Sequence, residues 1–161
     1  MVQCHKVNKD LEMGKSVDQA TAAKKSLLQH AGIMATMVTA LQLFIFSNGS
    51  PIDGSANLGL VVIALYYVWY HYTSRNLLAK VRFGRLVAHL IGFLIVNVSY
   101  HLHAFILMIN NNPAIRGDSH FPINPGWFGV LFGMTTFWGI GLLIHMIASI
   151  ANRGFEELPR G

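Results

Sequence analysis

Four long runs of apolar residues, none of them interrupted by a charged side chain, organise this sequence. They extend over about residues 26–47, 57–73, 86–109 and 126–150. All 12 basic and 7 acidic residues lie outside them. The runs are long, and they lack the alternation of apolar and polar positions that marks a half-exposed strand. The pattern therefore predicts four helices.

The length of the runs predicts that these helices cross a membrane. About 20 apolar residues span a hydrocarbon core of roughly 30 Å, and in lipid every backbone amide must be bonded within the segment. Composition agrees, since 53% of the 161 residues are hydrophobic, 12% are charged and the mean hydropathy is +0.44. Run 57–73 is the shortest. We expect an all-α membrane protein, a bundle of four transmembrane helices made of two antiparallel hairpins.

Basic residues are concentrated on one side of the predicted membrane. Eleven of the twelve lie in the N-terminal tail (1–25), the loop between the second and third runs (75–85) and the C-terminal tail (151–161). The two other connections are turn-rich and hold only Arg116. By the positive-inside rule, both termini and the basic loop face the cytoplasm. The net charge of +5 therefore reflects membrane topology, and we expect no nucleic-acid partner.

The two predicted hairpins, 26–74 and 86–150, share one plan. Aligning KKSLLQHAG with FGRLVAHLIG places His30 opposite His89, and aligning ALYYVWYHYTS with WGIGLLIHMIAS places His71 opposite His145. We interpret the hairpins as copies of one ancestral unit.

The second hairpin carries a set of motifs at fixed positions. These are a His at the start of its first helix, an Asn further along it, an Ile-Asn pair closing it and a W-G-I-G-x-x-x-H run in its second helix. Here they are His89, Asn97, Ile109, Asn110, Trp138 to Gly141 and His145. Over residues 83–150 the sequence resembles the bacterial two-transmembrane (2TM) domain. The first hairpin keeps both His positions but lacks the Asn and the W-G-I-G element. The resemblance implies a two-helix membrane module, sometimes attached to signalling proteins, and bears on topology more than on activity.

Histidines are the candidate ligand-binding residues, and one lies near the cytoplasmic end of each run. At about 1.5 Å per residue, each lies roughly 6–12 Å inside that boundary. We therefore expect a ring of four inner-leaflet histidines, with a tryptophan seven residues before the last of them on the same helix face. The candidate binding residues are His30, His71, His89, His145 and Trp138.

An imidazole at this depth has two principal roles. It can ligate a metal or tetrapyrrole through one nitrogen while the other is hydrogen-bonded, which suits haem b or (bacterio)chlorophyll and, less readily, copper or zinc. Alternatively, the four rings form only an interhelical polar network. A second, outer-leaflet site from His101, His103 and His120 is less favoured, because residues two apart on a helix point to different faces.

Other polar and aromatic residues are interpreted as architectural. Asn97 is expected to bond across helices. The aromatic residues between 66 and 72, together with Trp127 and Phe128, are interpreted as membrane-interface belts.

The residues and motifs that are missing from the sequence exclude several classes of function. The sequence shows no enzyme motif, and the spans hold no Asp, Glu, Lys or Arg of the kind that an ion transporter uses. We therefore expect no enzyme but a small accessory subunit of a larger membrane complex, in a bacterial inner or intracytoplasmic membrane. Its partners would be lipid and other membrane subunits or further copies of the chain, and a bound cofactor would give it a role in electron transfer. The alternative is a free-standing anchor or sensor module.

The predicted orientation can be tested by cysteine accessibility. On a Cys4→Ser background, a Ser119→Cys variant should react with a membrane-impermeant maleimide in intact cells, because its loop is predicted to lie outside. An Arg82→Cys variant should react only after permeabilisation. The reverse labelling pattern would show the opposite orientation.

Overall fold

The structure is a computed structural model that describes the backbone of residues 2–154 and the side chains of residues 14 and 17–151. Residues 155–161, most of the predicted C-terminal tail, lie outside the described part of the chain. The helices are α1 (Val2–Ser47), α2 (Gly54–Leu78), α3 (Gly84–Ile109), α4 (Pro125–Phe128) and α5 (Thr135–Gly154), with a 3-10 turn at Pro113–Ile115 and a π-helical segment, Gly129–Met134, that joins α4 to α5 without a break.

The predicted all-helical class is confirmed. Within residues 2–154 there is no strand, and one isolated bridge pairs Arg116 with Ile123. Three helical segments are long and apolar enough to cross a membrane: Val17–Ser47, Gly84–Ile109 and Pro125–Ala151. Helix α2 has 25 residues, but its second half carries four tyrosines, a tryptophan and a histidine, which lower its hydropathy.

Helices α1 and α3 end in the same way, each where the chain turns back toward the next helix. In α1, Gly49 has a left-handed φ of 85°, and the amide of Ser50 donates to the carbonyl of Ile45 at 2.8 Å. In α3, Asn111 has a φ of 52°, and the amide after it donates to the carbonyl of Leu107 at 2.9 Å. Both are Schellman-type ends, which satisfy carbonyls that the helix leaves free. We call this end of the molecule the loop end and the opposite end, with the α2–α3 turn, the basic end.

Helix α2 begins at a carboxylate cap. Asp53 Oδ1 accepts hydrogen bonds from the amides of Ser55 and Ala56, both at 3.0 Å, and from the Ser55 hydroxyl at 2.6 Å. The hydroxyl of Ser55 and then the amide of Ala56 hold the pKa of the exposed Asp53 carboxyl below its usual value. A carboxylate also suits the positive end of the helix dipole. The cap therefore fixes where α2 starts.

Successive long helices run antiparallel. Between α1 and α2, Ser26 is hydrogen-bonded to Tyr70 and His30 to Tyr66. The residue numbers of the contact pairs therefore increase along α1 as they decrease along α2. The same reversed order relates α3 to α5. Helices α1, α2 and α3 contact one another, whereas α5 packs mainly against α3. The result is a three-helix group with α5 attached to one side, which leaves a groove between α2 and α5.

The main apolar core lies in the half of the helices nearer the loop end. Its fully buried members come from α1, α3 and α4, and they include Met34, Ile45, Val96, Tyr100, Leu107 and Trp127. A smaller cluster of Tyr70, Leu78 and Ala88 lies near the basic end.

Trp127 joins the two loop-end connections. It is fully buried, and its indole N–H donates to the carbonyl of Ser50 at 3.0 Å. The interpretation of Trp127 as a membrane-interface belt residue is therefore wrong. The indole N–H bonds within the protein because a buried donor without a partner would be costly.

Asn97 connects α3 to α5, as predicted. Its amide donates to the carbonyl of Phe93 at 2.9 Å, and its Oδ1 accepts from the hydroxyl of Thr135 at 2.5 Å. The interhelical bond lies where the π-helical segment ends and α5 begins. Asn97 thus fixes the register between the two helices.

Removing this interhelical bond should weaken the fold. We expect Thr135→Val to lower the free energy of unfolding by about 1 kcal/mol, because the Asn97 oxygen loses its partner on α5. Reversible unfolding in mixed micelles measures this. Thr136→Val is the matched control, since Thr136 is exposed. Equal stabilities for the two variants would contradict the assigned role of Asn97.

Candidate functional site

The four predicted histidines form one contiguous cluster across α1, α2, α3 and α5. The rings of His71 and His89 are stacked, with centroids 3.8 Å apart and planes at 5°. His30 contacts His71 edge-on at 5.9 Å, and His145 contacts His89 edge-on at 4.7 Å. We call these four residues the histidine cluster. Each helix supplies one ring, so the cluster exists only when all four helices are packed.

Tyrosines of α2 surround the histidine cluster. Tyr70 stacks on His30 at 3.8 Å, and the hydroxyl of Tyr66 is hydrogen-bonded to His30 Nδ1 at 3.3 Å. The hydroxyl of Tyr67 is hydrogen-bonded to Nδ1 of His89. These bonds connect α2 to both of its neighbours. Tyr66, Tyr67 and Tyr70 therefore belong to the site.

The sequence interpretation missed these three tyrosines by placing them in an interface belt, and that interpretation is wrong for them. A usable signal was present. Tyr67 lies four residues before His71, and Tyr66 lies four before Tyr70. Residues four apart share a helix face, so the tyrosines had to face the neighbours of α2 together with the histidine.

Trp138 lies beside the histidine cluster. Its ring contacts Tyr67 at 5.2 Å and Phe93 at 5.9 Å, both edge-on. Trp138 and His145 line the same cleft together with Tyr67, as their shared helix face predicted. Trp138 is thus a wall of the cleft.

Three imidazole nitrogens of the cluster have no hydrogen-bond partner. They are the buried Nε2 atoms of His30, His71 and His145. A neutral imidazole has one donor and one acceptor nitrogen, and a buried polar atom without a partner costs about 1–3 kcal/mol. The cluster therefore contains three buried nitrogens that could still form a hydrogen bond or ligate a metal. Such a site is suited to binding a ligand.

A cleft of about 380 Å³ opens at the cluster between α2, α3 and α5. It is lined by Tyr67, His89, Trp138, Gly141, Leu142 and His145, and we call it the ring cleft. Its lining combines aromatic walls with two imidazoles and contains no charged side chain. This volume falls within the range of small-molecule sites, about 300–1,000 Å³.

The geometry of the cluster limits what it can bind. Among the described side chains, no group of three or more His, Cys, Asp or Glu residues is arranged to hold a metal ion. The rings of His71 and His89 lie in nearly parallel planes with centroids 3.8 Å apart, so an ion in the plane of one ring lies outside the plane of the other. At 3.8 Å they also leave no room for a macrocycle between them. A group bound through one imidazole at the ring cleft fits better than copper, zinc or a haem held between these two rings.

The less favoured outer-leaflet trio does not come together. His103 is buried and hydrogen-bonded to Gln42 at 2.7 Å and to Ser50 at 3.3 Å. His101 is bonded instead to the carbonyl of its own helix four residues earlier, and His120 to the neighbouring Ser119. His103 therefore belongs to the packing of the loop end.

Comparison with known proteins does not extend this picture: no protein-family model matches the chain, and no significant match was found among curated proteins or solved structures. The resemblance of the second hairpin to the 2TM domain stays a prediction.

The Tyr67–His89 bond can be tested by deleting one hydroxyl. Tyr67→Phe should lower the free energy of unfolding by about 1 kcal/mol, because a partly buried imidazole loses its partner while the aromatic ring stays. It should also change the ¹⁵N shifts of His89. Tyr72→Phe is the control, since Tyr72 is 67% exposed on the same helix. If Tyr67→Phe were as stable as the control, the bond would have no structural role.

Proposed function

We propose that this protein is a four-span integral membrane subunit, with both termini in the compartment that faces its basic end. Helix α2 supports a fourth span by its length, since 25 residues reach about 37 Å at 1.5 Å per residue. The basic residues of the α2–α3 connection and those at the start of the first apolar run support the orientation. The resemblance to a bacterial membrane module favours a bacterial inner or intracytoplasmic membrane.

The proposed function is to hold a planar ring cofactor in the ring cleft through one imidazole. The observation that carries this proposal is that two imidazoles, those of His89 and His145, line the cleft, while the buried Nε2 of His145 has no hydrogen-bond partner within the protein. One imidazole nitrogen would suffice to ligate the metal of a tetrapyrrole such as haem b or a chlorophyll. The aromatic rings of Tyr67 and Trp138 supply flat apolar walls. A cofactor held there would serve electron transfer or pigment binding.

An accessory role in a larger membrane complex fits the exposure of α5. In the apolar segment Pro125–Ala151, which includes α5, only 11% of an 18-residue stretch is buried within the protein. Phe137 is 80% exposed, and Ile140, Ile144 and Ile147 are each more than half exposed. This face can pack against lipid or against another subunit.

A second candidate function is a free-standing anchor or sensor module without a cofactor. Its support is the pair of interhelical hydrogen bonds from Tyr66 to His30 and from Tyr67 to His89. In this case the histidine cluster is a polar network that fixes helix packing.

The absorption spectrum of the protein purified from its native membrane in mild detergent distinguishes the two functions. Under our proposal the protein carries a Soret band or the red band of a chlorophyll, or yields a ring compound on solvent extraction. His145→Gly should lose most of it, because the axial nitrogen is removed, and added imidazole should restore binding. His120→Gly, in an exposed loop, should keep it.

A wild-type protein from which no ring compound can be extracted would overturn the cofactor proposal in favour of the polar network. Imidazole rescue guards against misfolding, because a variant that had lost its fold would not regain the bound compound.

A further inference from the structure

A second cavity lies beside the ring cleft, on its loop-end side. It has a volume of about 400 Å³ and lies between α2, α3 and the helix that includes α5. We call it the chain groove. Its lining is apolar apart from the ring edges of Tyr67 and Trp138, and it includes Leu60, Ala64 and Met134.

The ring cleft and the chain groove are adjacent, since Tyr67 and Trp138 line both and their rings meet edge-on at 5.2 Å at the boundary. A ligand that occupies both cavities would therefore pass over the edges of these two rings. On α2 the groove reaches from Tyr67 to Leu60, about 10 Å at 1.5 Å per residue. On the fourth helix the two cavities together reach from His145 to Met134, about 16 Å. These two cavities match a single molecule that has a flat polar ring at one end and a flexible hydrocarbon chain at the other.

We propose that the two cavities hold one ligand, a flat ring compound that carries an isoprenoid chain. The ring lies in the ring cleft at His145, and the chain lies in the chain groove. This inference rests on the proposed function and narrows its ligand. Haem b, which has no such chain, would leave the chain groove to lipid.

The lining of the ring cleft argues against an ordinary phospholipid as the occupant. A phospholipid headgroup carries a phosphate, which calls for Lys, Arg or a free helix N-terminus. The cleft offers two imidazoles, two aromatic rings, Gly141 and Leu142 instead. Neutral imidazole can donate to a ring carbonyl or give its lone pair to a ring-bound metal. An isoprenoid quinone and a phytyl-bearing chlorin share this chemistry.

Two small residues keep the cavities open. A Cβ at Gly141 would meet no atom within 4 Å, so a larger side chain would enter the ring cleft without striking the protein. Ala64 is the smallest side chain in the chain groove, and it is exposed. These two positions allow each cavity to be filled separately.

The test uses two matched pairs of probes that differ in the chain. They are phylloquinone with menadione, and chlorophyll a with methyl chlorophyllide a. Binding to the full-length protein is measured by tryptophan quenching at fixed detergent concentration. For each probe, affinity is expressed as the ratio of variant to wild type, because partition into the micelle then cancels.

We expect Ala64→Phe to weaken the chain-bearing member of the bound pair about tenfold, the effect of losing about 1.4 kcal/mol of packing, and to leave its chain-free partner unchanged. Ala40→Phe, on the exposed face of α1, should change the affinity for neither member.

Gly141→Leu should abolish binding of both members, because its side chain fills the ring cleft. Gly32→Leu is the control, since a Cβ there also meets no atom within 4 Å, and it should leave binding unchanged. Which pair binds identifies the ring as a quinone or a chlorin.

Failure of this inference differs from failure of the proposed function. If Gly141→Leu abolished binding while Ala64→Phe affected both members equally or neither, the ring site would stand and the chain assignment would be overturned. If neither pair bound, and extracts of the purified protein held phospholipid alone, both would be overturned.

Discussion

Polar side chains in the apolar part of this chain must find their partners within the protein, because lipid offers none. This constraint accounts for the contacts that join the helices. Tyr66 and Tyr67 bond to histidines on the helices either side of α2, and Asn97 bonds to Thr135 on α5. Without a hydrophobic driving force between helices in lipid, such bonds and close packing hold the helices in register.

The same constraint makes the histidine cluster informative. Elsewhere in the described core polar groups are largely paired, as the bond between Trp127 and Ser50 illustrates. The cluster departs from that rule at three imidazole nitrogens, close to a cleft with aromatic walls. Buried polar groups without hydrogen-bond partners are expected at functional sites rather than in the packing core. Because α5 packs mainly against α3, the ring cleft and the chain groove stay open between α5 and α2.

Much of the fold could be predicted, and the reason lies in the length and charge pattern of the apolar runs. The third run was placed at 86–109, and α3 ends at Ile109. Helix α2 proved longer than its apolar run, because Asp53 caps it early and it continues past Arg75 to Leu78. Helix α1 begins at Val2, so the polar N-terminal segment and the first apolar run are one continuous helix. Hydropathy alone does not show this, since polar residues support helices as readily as apolar ones when caps and propensity allow.

The sequence by itself determined the helical class, the approximate bounds of the helices and the common level of four histidines along them, because these depend on period, length and position along the chain. Only the tertiary structure decided which rings meet. His71 and His89 stack, the hydroxyl of Tyr67 is hydrogen-bonded to Nδ1 of His89, and His103 is hydrogen-bonded to Gln42 and Ser50 near the loop end. Depth follows from the rise per residue, but the facing of each side chain depends on how every helix is rotated about its axis. That rotation is set by packing across helices distant in sequence, which no local pattern encodes.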